Sequence, residues 1–362
     1  MTSASSKDTS SRNSVLLATV VLALIVGFVW VSRKSSGPVT VETFSGSTMA
    51  TTWSVKVVSA TLTPAKRGEI LDAINAELEK VNDSMSHYRK GSEISRFNEA
   101  KAGQWVEVST PLVELLQVAR GISEKTDGAF DVTVGPLVGL WGFDDKEGRM
   151  QEPAAEEMEA AGNRVGFRHL LIEDKRISKD KEGLRADLSS IAKGYAVDRV
   201  ALALESMGYQ DIMVEVGGEI RVRGSKPGGV PWRIGVEKPQ DDGRQLLGGI
   251  DLTEPISVAT SGDYRNFYLL DGVRVSHTID PRTREPVGHA TASVTVVHPQ
   301  CEVADGWATA LTVLGAKEGI PLAEKLGLEV LFIERTDGEP KLTMTSAFRK
   351  RVGDDWPSRE EE

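Results

Sequence analysis

Within one stretch, Ser261 to Thr309, lie two residues able to ligate a cation and one able to carry a proton. His277 stands in Ser276-His277-Thr278-Ile279-Asp280-Pro281, and Ala304-Asp305-Gly306-Trp307-Ala308-Thr309-Ala310 follows as a helix candidate. On a helix, Asp305 and Thr309 are at i and i+4, stacked on one face, so a carboxylate and a hydroxyl can reach one ion. Oxygen donors of this kind suit Mg²⁺. The same residues also have ordinary uses: an Asp near a helix start complements the dipole, and a helical Thr can bond its own backbone.

The elements that must hold these residues follow from periodicity. Thr52 to Val58 alternates as a strand, and Ile70, Ile74, Leu78 and Val81 repeat at helical spacing. Ser84 to Asn98 is polar, a loop or short helix, and Leu112, Leu115, Ala119 and Ile122 mark a helix stopping near Gly128. Residues 144–165 are charged and Ala/Glu-rich, an exposed excursion with a short helix. Strands are expected at Leu170–Ile177, Ile212–Val216, Trp232–Glu237, Gly249–Leu252, Tyr264–Leu270, Val273–Ile279, Ala292–His298 and Val330–Glu334. Asp271-Gly272 and Asp337-Gly338 sit between apolar runs as hairpin turns. Helices are expected at Ala192–Met207, Asp305–Leu314 and Ile320–Leu326. Helices and antiparallel hairpins interleave with no regular βαβ rhythm, which predicts a single α+β domain of mixed, largely antiparallel sheets.

The chain has 362 residues, 40% of them hydrophobic, enough for a large core. Its net charge is −10 and no dense Lys/Arg block occurs, which argues against nucleic-acid binding. The lone Cys301 excludes an internal disulfide and any cysteine-based metal site, and is expected as a buried strand-end thiol. Residues 1–14 form a polar tail, and Val15 to Val31 is an uncharged apolar run before Arg33 and Lys34. Its length fits both a short membrane span and a signal peptide. No small-residue cleavage site follows, so residues 15–32 are expected as an uncleaved signal-anchor and 33–46 as a linker. The catalytic domain is then 47–350 and an acidic tail 351–362.

Several blocks in collinear order resemble the ApbE family of FAD:protein FMN transferases. They include Ser86-His87-Tyr88-Arg89-Lys90-Gly91-Ser92, Asp127-Gly128-Ala129-Phe130-Asp131-Val132-Thr133 and Asp187-Leu188-Ser189-Ser190-Ile191-Ala192-Lys193-Gly194-Tyr195. Val216-Gly217-Gly218-Glu219-Ile220, Thr260-Ser261-Gly262-Asp263-Tyr264-Arg265-Asn266, the His277 segment and Asp305 with Thr309 continue the match, which spans about Ser47 to Thr345. The resemblance implies a Mg²⁺-dependent enzyme that transfers the FMN half of FAD to a Thr or Ser hydroxyl of an acceptor flavoprotein and releases AMP. It implies Mg²⁺ ligands at Asp305, Thr309 and the carbonyl of Ala192, and His277 as general base for the acceptor hydroxyl, a role an imidazole suits near neutrality. For FAD it points to Met49, Tyr88, Ala129, Phe130, Asp131, Ser189, Lys193, Tyr195 and Ile279. Tyr88 and Phe130 offer flat faces to a ring. Asp187 and Lys193 reach toward ribose or phosphate, or else form a surface ion pair. Gly217-Gly218 reads equally as a phosphate-approach turn or as tight strand packing.

The sequence departs from the family pattern at three places. Ala50 stands where a Gly is usual in the Thr48-Met49 opening, which is tolerable if φ there is negative. Arg284 replaces the Gly after Asp280-Pro281-Arg282-Thr283, and Ala308 stands where some members carry an acid, leaving water or phosphate oxygens to complete the metal shell. The expected protein is an FMN transferase anchored in a bacterial inner membrane with its catalytic domain on the periplasmic side. Hydrolysis of FAD to FMN and AMP on the same site, and non-enzymatic flavin binding, are the rival readings.

Overall fold

The computed structural model describes residues 38–143, 151–239, 245–262, 267–270 and 272–357. Eight strands make the main sheet, and they lie side by side in chain order. These are β1 (Val39–Thr48), β2 (Thr51–Ala60), β3 (Ile212–Val216), β4 (Glu219–Arg223), β5 (Ile256–Gly262), β6 (Thr291–His298), β7 (Glu329–Glu334) and β8 (Lys341–Met344). Every neighbouring pair is antiparallel, from Thr48 opposite Thr51 to Glu334 opposite Lys341. The chain is therefore α+β, with the antiparallel pairing its hairpin signals predict.

Alternation along each strand divides the apolar residues between two cores. Ile212, Val214, Val294, Val296, Val330 and Phe332 face one way, into the larger cluster. Val222, Val258, Val297, Leu331 and Ile333 face the other, under the separate hairpin Trp232–Lys238/Gln245–Leu252. The larger core is closed by helices α1 (Pro64–Met85), α2 (Thr110–Lys125), α3 (Ala192–Ser206) and α4 (Cys301–Leu326). In α1, Ile70, Ile74, Leu78 and Val81 form the buried stripe, and Thr63 caps its start by accepting from the Lys66 amide.

One end of this sheet carries chemistry. The turn at Met49-Ala50, the turn at Gly217-Gly218, the end of β5 and the start of β6 all fall there, because antiparallel strands in chain order put every second connection at one end. The first turns of α3 and α4 pack beside it.

Several boundaries differ from expectation. β1 runs through the segment expected as a linker; its outer residues are exposed, and pairing with β2 rather than burial holds it. Leu170–Ile177 is two strands, Leu170–Glu173 and Arg176–Lys179, turned at Asp174 with φ of 47°. Strand Val273–Ser276 stops before His277, because the Ser276 hydroxyl accepts from the Thr278 amide at 3.1 Å and pulls the backbone out of the ladder. The two helices expected over 305–326 are both there, joined without a loop at Gly315, whose φ of 67° and ψ of 173° are not helical. Cys301 is buried, but it opens α4 rather than ending a strand. Of the segment expected as a tail, residues 351–357 pack on the body: Trp356 lies edge-on against Phe348 and donates its indole N–H to the Gly249 carbonyl at 2.9 Å, and residues 358–362 lie outside the described ones. Among the described residues no helix is long and apolar enough to cross a membrane, and the run Val15 to Val31 lies outside them.

One buried cation braces the loop that leads into the site. Lys179 is 1% exposed and donates to the carbonyls of Asn98 at 2.9 Å and Leu184 at 2.8 Å, over the Phe97 ring. Asn98 in turn bonds both backbone groups of Ala186, one residue before Asp187. Lys179→Met fills the space but leaves two buried carbonyls unpaired, at about 1–3 kcal/mol each. Thermal denaturation should show a clear drop in melting temperature, and an unchanged midpoint would mean that these bonds contribute nothing net.

Candidate active site

At the active end of the sheet, α3 and α4 touch through backbone. A Cβ on Gly194 would lie 2.4 Å from the Cys301 carbonyl oxygen and 2.8 Å from Asp305 Cβ, so only glycine permits the contact. The Gly194 amide donates to Asp305 Oδ2 at 2.9 Å. Asp305 Oδ1 lies 3.8 Å from Lys193 Nζ, and that ammonium binds Glu219 Oε1 at 2.7 Å. Asp305 and Glu219 are 1% and 3% exposed. Burial drives both carboxyl pKa values upward, with Lys193 opposing it in each and Asp305 adding to it in Glu219. Burial pulls the Lys193 ammonium down, but Asp305 and Glu219 outweigh it and lift the ammonium above its ordinary value. Burial pushes Glu219 up to about 8, so one ammonium is shared between two carboxyl groups that are costly to ionise together.

These groups line a cavity of about 420 Å³ together with Thr309, Ser261, His277, Ile279, Ala129, Phe130 and Asp187. Thr309 Oγ1 and Ser261 Oγ are 3.1 Å apart. His277 is half-buried, with the Phe143 ring edge-on at 6.3 Å. A second cavity of about 530 Å³ is lined by Met49, Tyr88, His87 and Ala192. Ser189 and Lys193 stand in the walls of both. Tyr88 is 74% exposed beside His87, with ring centroids 3.8 Å apart. Asp187 faces His87 Nδ1 at 3.2 Å and accepts from the Ser189 amide and hydroxyl; burial pushes its pKa up, but His87 and Ser189 overcome that and hold it below the usual carboxylate value.

Most residues named from sequence therefore meet, with three adjustments. Asp131 spends both oxygens within the chain, accepting from the amide and hydroxyl of Thr133 and the amide of Phe167. Its side chain pins the turn, while the residue still lines the first cavity. Tyr195 lines a third cavity with Glu77 and Arg199 instead of either main one, since residues two apart on a helix point away from each other and Lys193 takes the site-facing position. Ala192 lies in the wall of the second cavity, while Asp305 and Thr309 lie in the first. Asp187 and Lys193 are not paired with one another; each has its own partner.

The family model described as "ApbE family" matches residues 49–332. The chain belongs to the ApbE family. A Vibrio cholerae protein named FAD:protein FMN transferase is 44% identical over 307 residues, 84% of this chain and 91% of that protein. One of the same name from Escherichia coli K12 is 35% identical over 85% of this chain and 88% of its own length. The solved flavin transferase ApbE from Vibrio cholerae superposes with a TM-score of 0.79 at 42% identity, covering 87% of this chain and 100% of that one. Apo flavinyl transferase ApbE from Pseudomonas stutzeri gives 0.79 at 39% identity, covering 87% and 98%.

Two non-glycine residues in these turns carry strain. Ala50 has φ of 57° and Arg284 φ of 70°, so both lie in the left-handed region, where a Cβ costs about 1 kcal/mol. The β1–β2 turn does not meet the condition of negative φ under which Ala50 would be free of cost. Gly194 shows the opposite case, where glycine is kept for space. Gly194→Ala should separate the starts of α3 and α4 and destabilise by about 1–3 kcal/mol. A variant melting as the parent does would show that the two helix starts adjust freely.

Glu219 enters the site from the Val216–Ile220 block, whose spacing alone does not single out that side chain. Its signal is an acid placed directly after a Gly-Gly turn, where the backbone reverses and the first residue of β4 turns into the cavity. Ser261 and His87 likewise stand out only as parts of motifs.

Proposed function

We propose that this chain transfers FMN from FAD to a Ser or Thr hydroxyl of an acceptor protein. The observation that supports it most is that the two cavities meet at Lys193, against a buried carboxylate pair. A dinucleotide laid across both would set its diphosphate at that junction. Among the described residues no three His, Cys, Asp or Glu side chains gather as a metal-ligand group. The donor set instead mixes carboxylate with hydroxyl oxygens, which suit a hard divalent ion. Asp305 and Thr309 would hold Mg²⁺, which when bound supplies charge neutralisation at the pyrophosphate.

The chain's own groups divide the remaining work. Phe130 and Tyr88 present aromatic faces in the first and second cavities. Lys193 offers an ammonium to phosphate oxygens. His277 takes the proton from the acceptor hydroxyl as its oxygen bonds to the FMN phosphorus; the P–O bond to the AMP half breaks and AMP leaves with that electron pair. Placement at a membrane rests on the apolar run Val15 to Val31 alone.

Incubation of the full chain with FAD, Mg²⁺ and a Ser/Thr-bearing acceptor peptide tests the reading by mass spectrometry. A peptide gaining FMN with equimolar AMP is expected. Free FMN and AMP beside unmodified peptide would make the enzyme a hydrolase, and intact FAD would leave only flavin binding.

A further inference from the structure

We infer that Glu219 is a further member of the cation site and that Lys193 is its internal counter-ion, seated between the two carboxylates until a divalent ion displaces it. The inference rests on the proposed cation at Asp305, and adds to it a residue and an exchange.

Three observations carry it. Glu219 Oε1 holds the Lys193 ammonium, whereas Glu219 Oε2 is buried without a hydrogen-bond partner. A buried oxygen left unpaired costs stability, so its persistence beside a cavity points to a partner that is sometimes there. The ammonium reaches Asp305 Oδ1 only at 3.8 Å, beyond hydrogen-bonding distance, so one cation is serving two anions and satisfies one well. Finally, the backbone is committed to this arrangement. Gly217 and Gly218 both have positive φ, a Cβ on Gly217 would come within 3.0 Å of the Lys193 side chain, and Gly218 is tied to Glu215 Oε1 at 2.8 Å. The turn thus sets Glu219 beside Lys193.

A divalent ion between Asp305 and Glu219 would satisfy both carboxylates, including the idle oxygen. Lys193, on a flexible four-carbon stem and already in the wall of the second cavity, then has its ammonium released toward phosphate oxygens. Ion binding and readiness for the dinucleotide are thereby coupled through one side chain.

The test uses the full chain and Mn²⁺ alone, without flavin, following the free aqueous ion by electron paramagnetic resonance, with a thermal melt on each variant. Lys193→Met, with Lys193→Gln as a second variant in case the first folds poorly, should bind Mn²⁺ at least about tenfold more tightly because the competing ammonium is gone. Glu219→Gln, the same size and uncharged, should bind it at least about tenfold more weakly. Unchanged or weaker binding in both folded Lys193 variants, or unchanged binding in Glu219→Gln, overturns the inference. Asp305→Asn separates the two levels. If it binds Mn²⁺ like the parent, the cation is not here and the proposed function loses its metal. If it alone loses the ion, only the roles given to Glu219 and Lys193 fail.

Discussion

Asp305→Asn is expected to lower FMN transfer by about three orders of magnitude while leaving the apo protein at least as stable as the parent. The first half follows from what a bound cation contributes. Charge stabilisation at a breaking pyrophosphate amounts to several kcal/mol, and about 4 kcal/mol is a thousandfold in rate. Asparagine keeps the size of the side chain and an oxygen for the Gly194 amide, so the α3–α4 contact survives and only the charge is lost. The second half follows from linkage. Burial raises the Asp305 pKa in the folded state, so the folded protein holds that proton more tightly than the unfolded chain does. As pH rises from the unfolded value to the raised folded one, stability is lost, and it stays lost at neutrality. Asparagine does not titrate and escapes that loss, and Lys193 with Glu219 remains as a neutral pair. Transfer assays at saturating Mg²⁺ and melting curves between pH 4 and pH 8 test both halves. Activity within about tenfold of the parent would remove Asp305 from the metal site. A lower melting temperature at pH 7 would mean that the carboxylate is satisfied by partners already present.

What the sequence disclosed of this site, and what it hid, has a physical pattern. Helix α3 and the antiparallel strands were legible because their apolar residues repeat with the period of the element that buries them. Asp305 and Thr309 were legible for the same reason, since i and i+4 on a helix is a local fact. β1 was hidden because it is an edge strand: of Val39–Thr48 only Phe44 is buried, and the Ser/Gly/Thr run around it reads as linker. Tyr195 was misplaced because local spacing gives relative phase only, and which face of α3 meets the cavity depends on α4 packing at Gly194. Glu219 was invisible as a ligand for a similar reason. It comes to Asp305 across the sheet, from 86 residues earlier in the chain, and no local rule pairs them. The resemblance to a known family gathered the blocks but could not tell which atoms within them meet.

His277→Ala should depress transfer by about 10²–10⁴-fold and leave FAD affinity within about threefold of the parent, because a positioned base acts on the reacting proton and not on the resting ligand. Local structure makes this variant informative. His277 stands outside the ladder, in the break that Ser276 and Thr278 make, half-buried in the cavity wall with Phe143 edge-on to it. Its removal therefore opens space on the cavity side of that wall. Two readouts separate a proton carrier from a brace. Flavin fluorescence titration reports binding, and the variant should match the parent there. The pH–rate profile reports the proton: the parent's rising limb, where an imidazole gives up its proton and becomes able to accept another, should be absent from the variant, and added imidazole should restore part of the rate. A brace behaves differently. Removing one shifts Phe143 and the Ile279 wall together, weakens FAD binding in step with transfer, and leaves the rising limb in place, so parallel losses with an unaltered pH profile would assign His277 to the architecture of the cavity and leave the acceptor hydroxyl to ionise by another route.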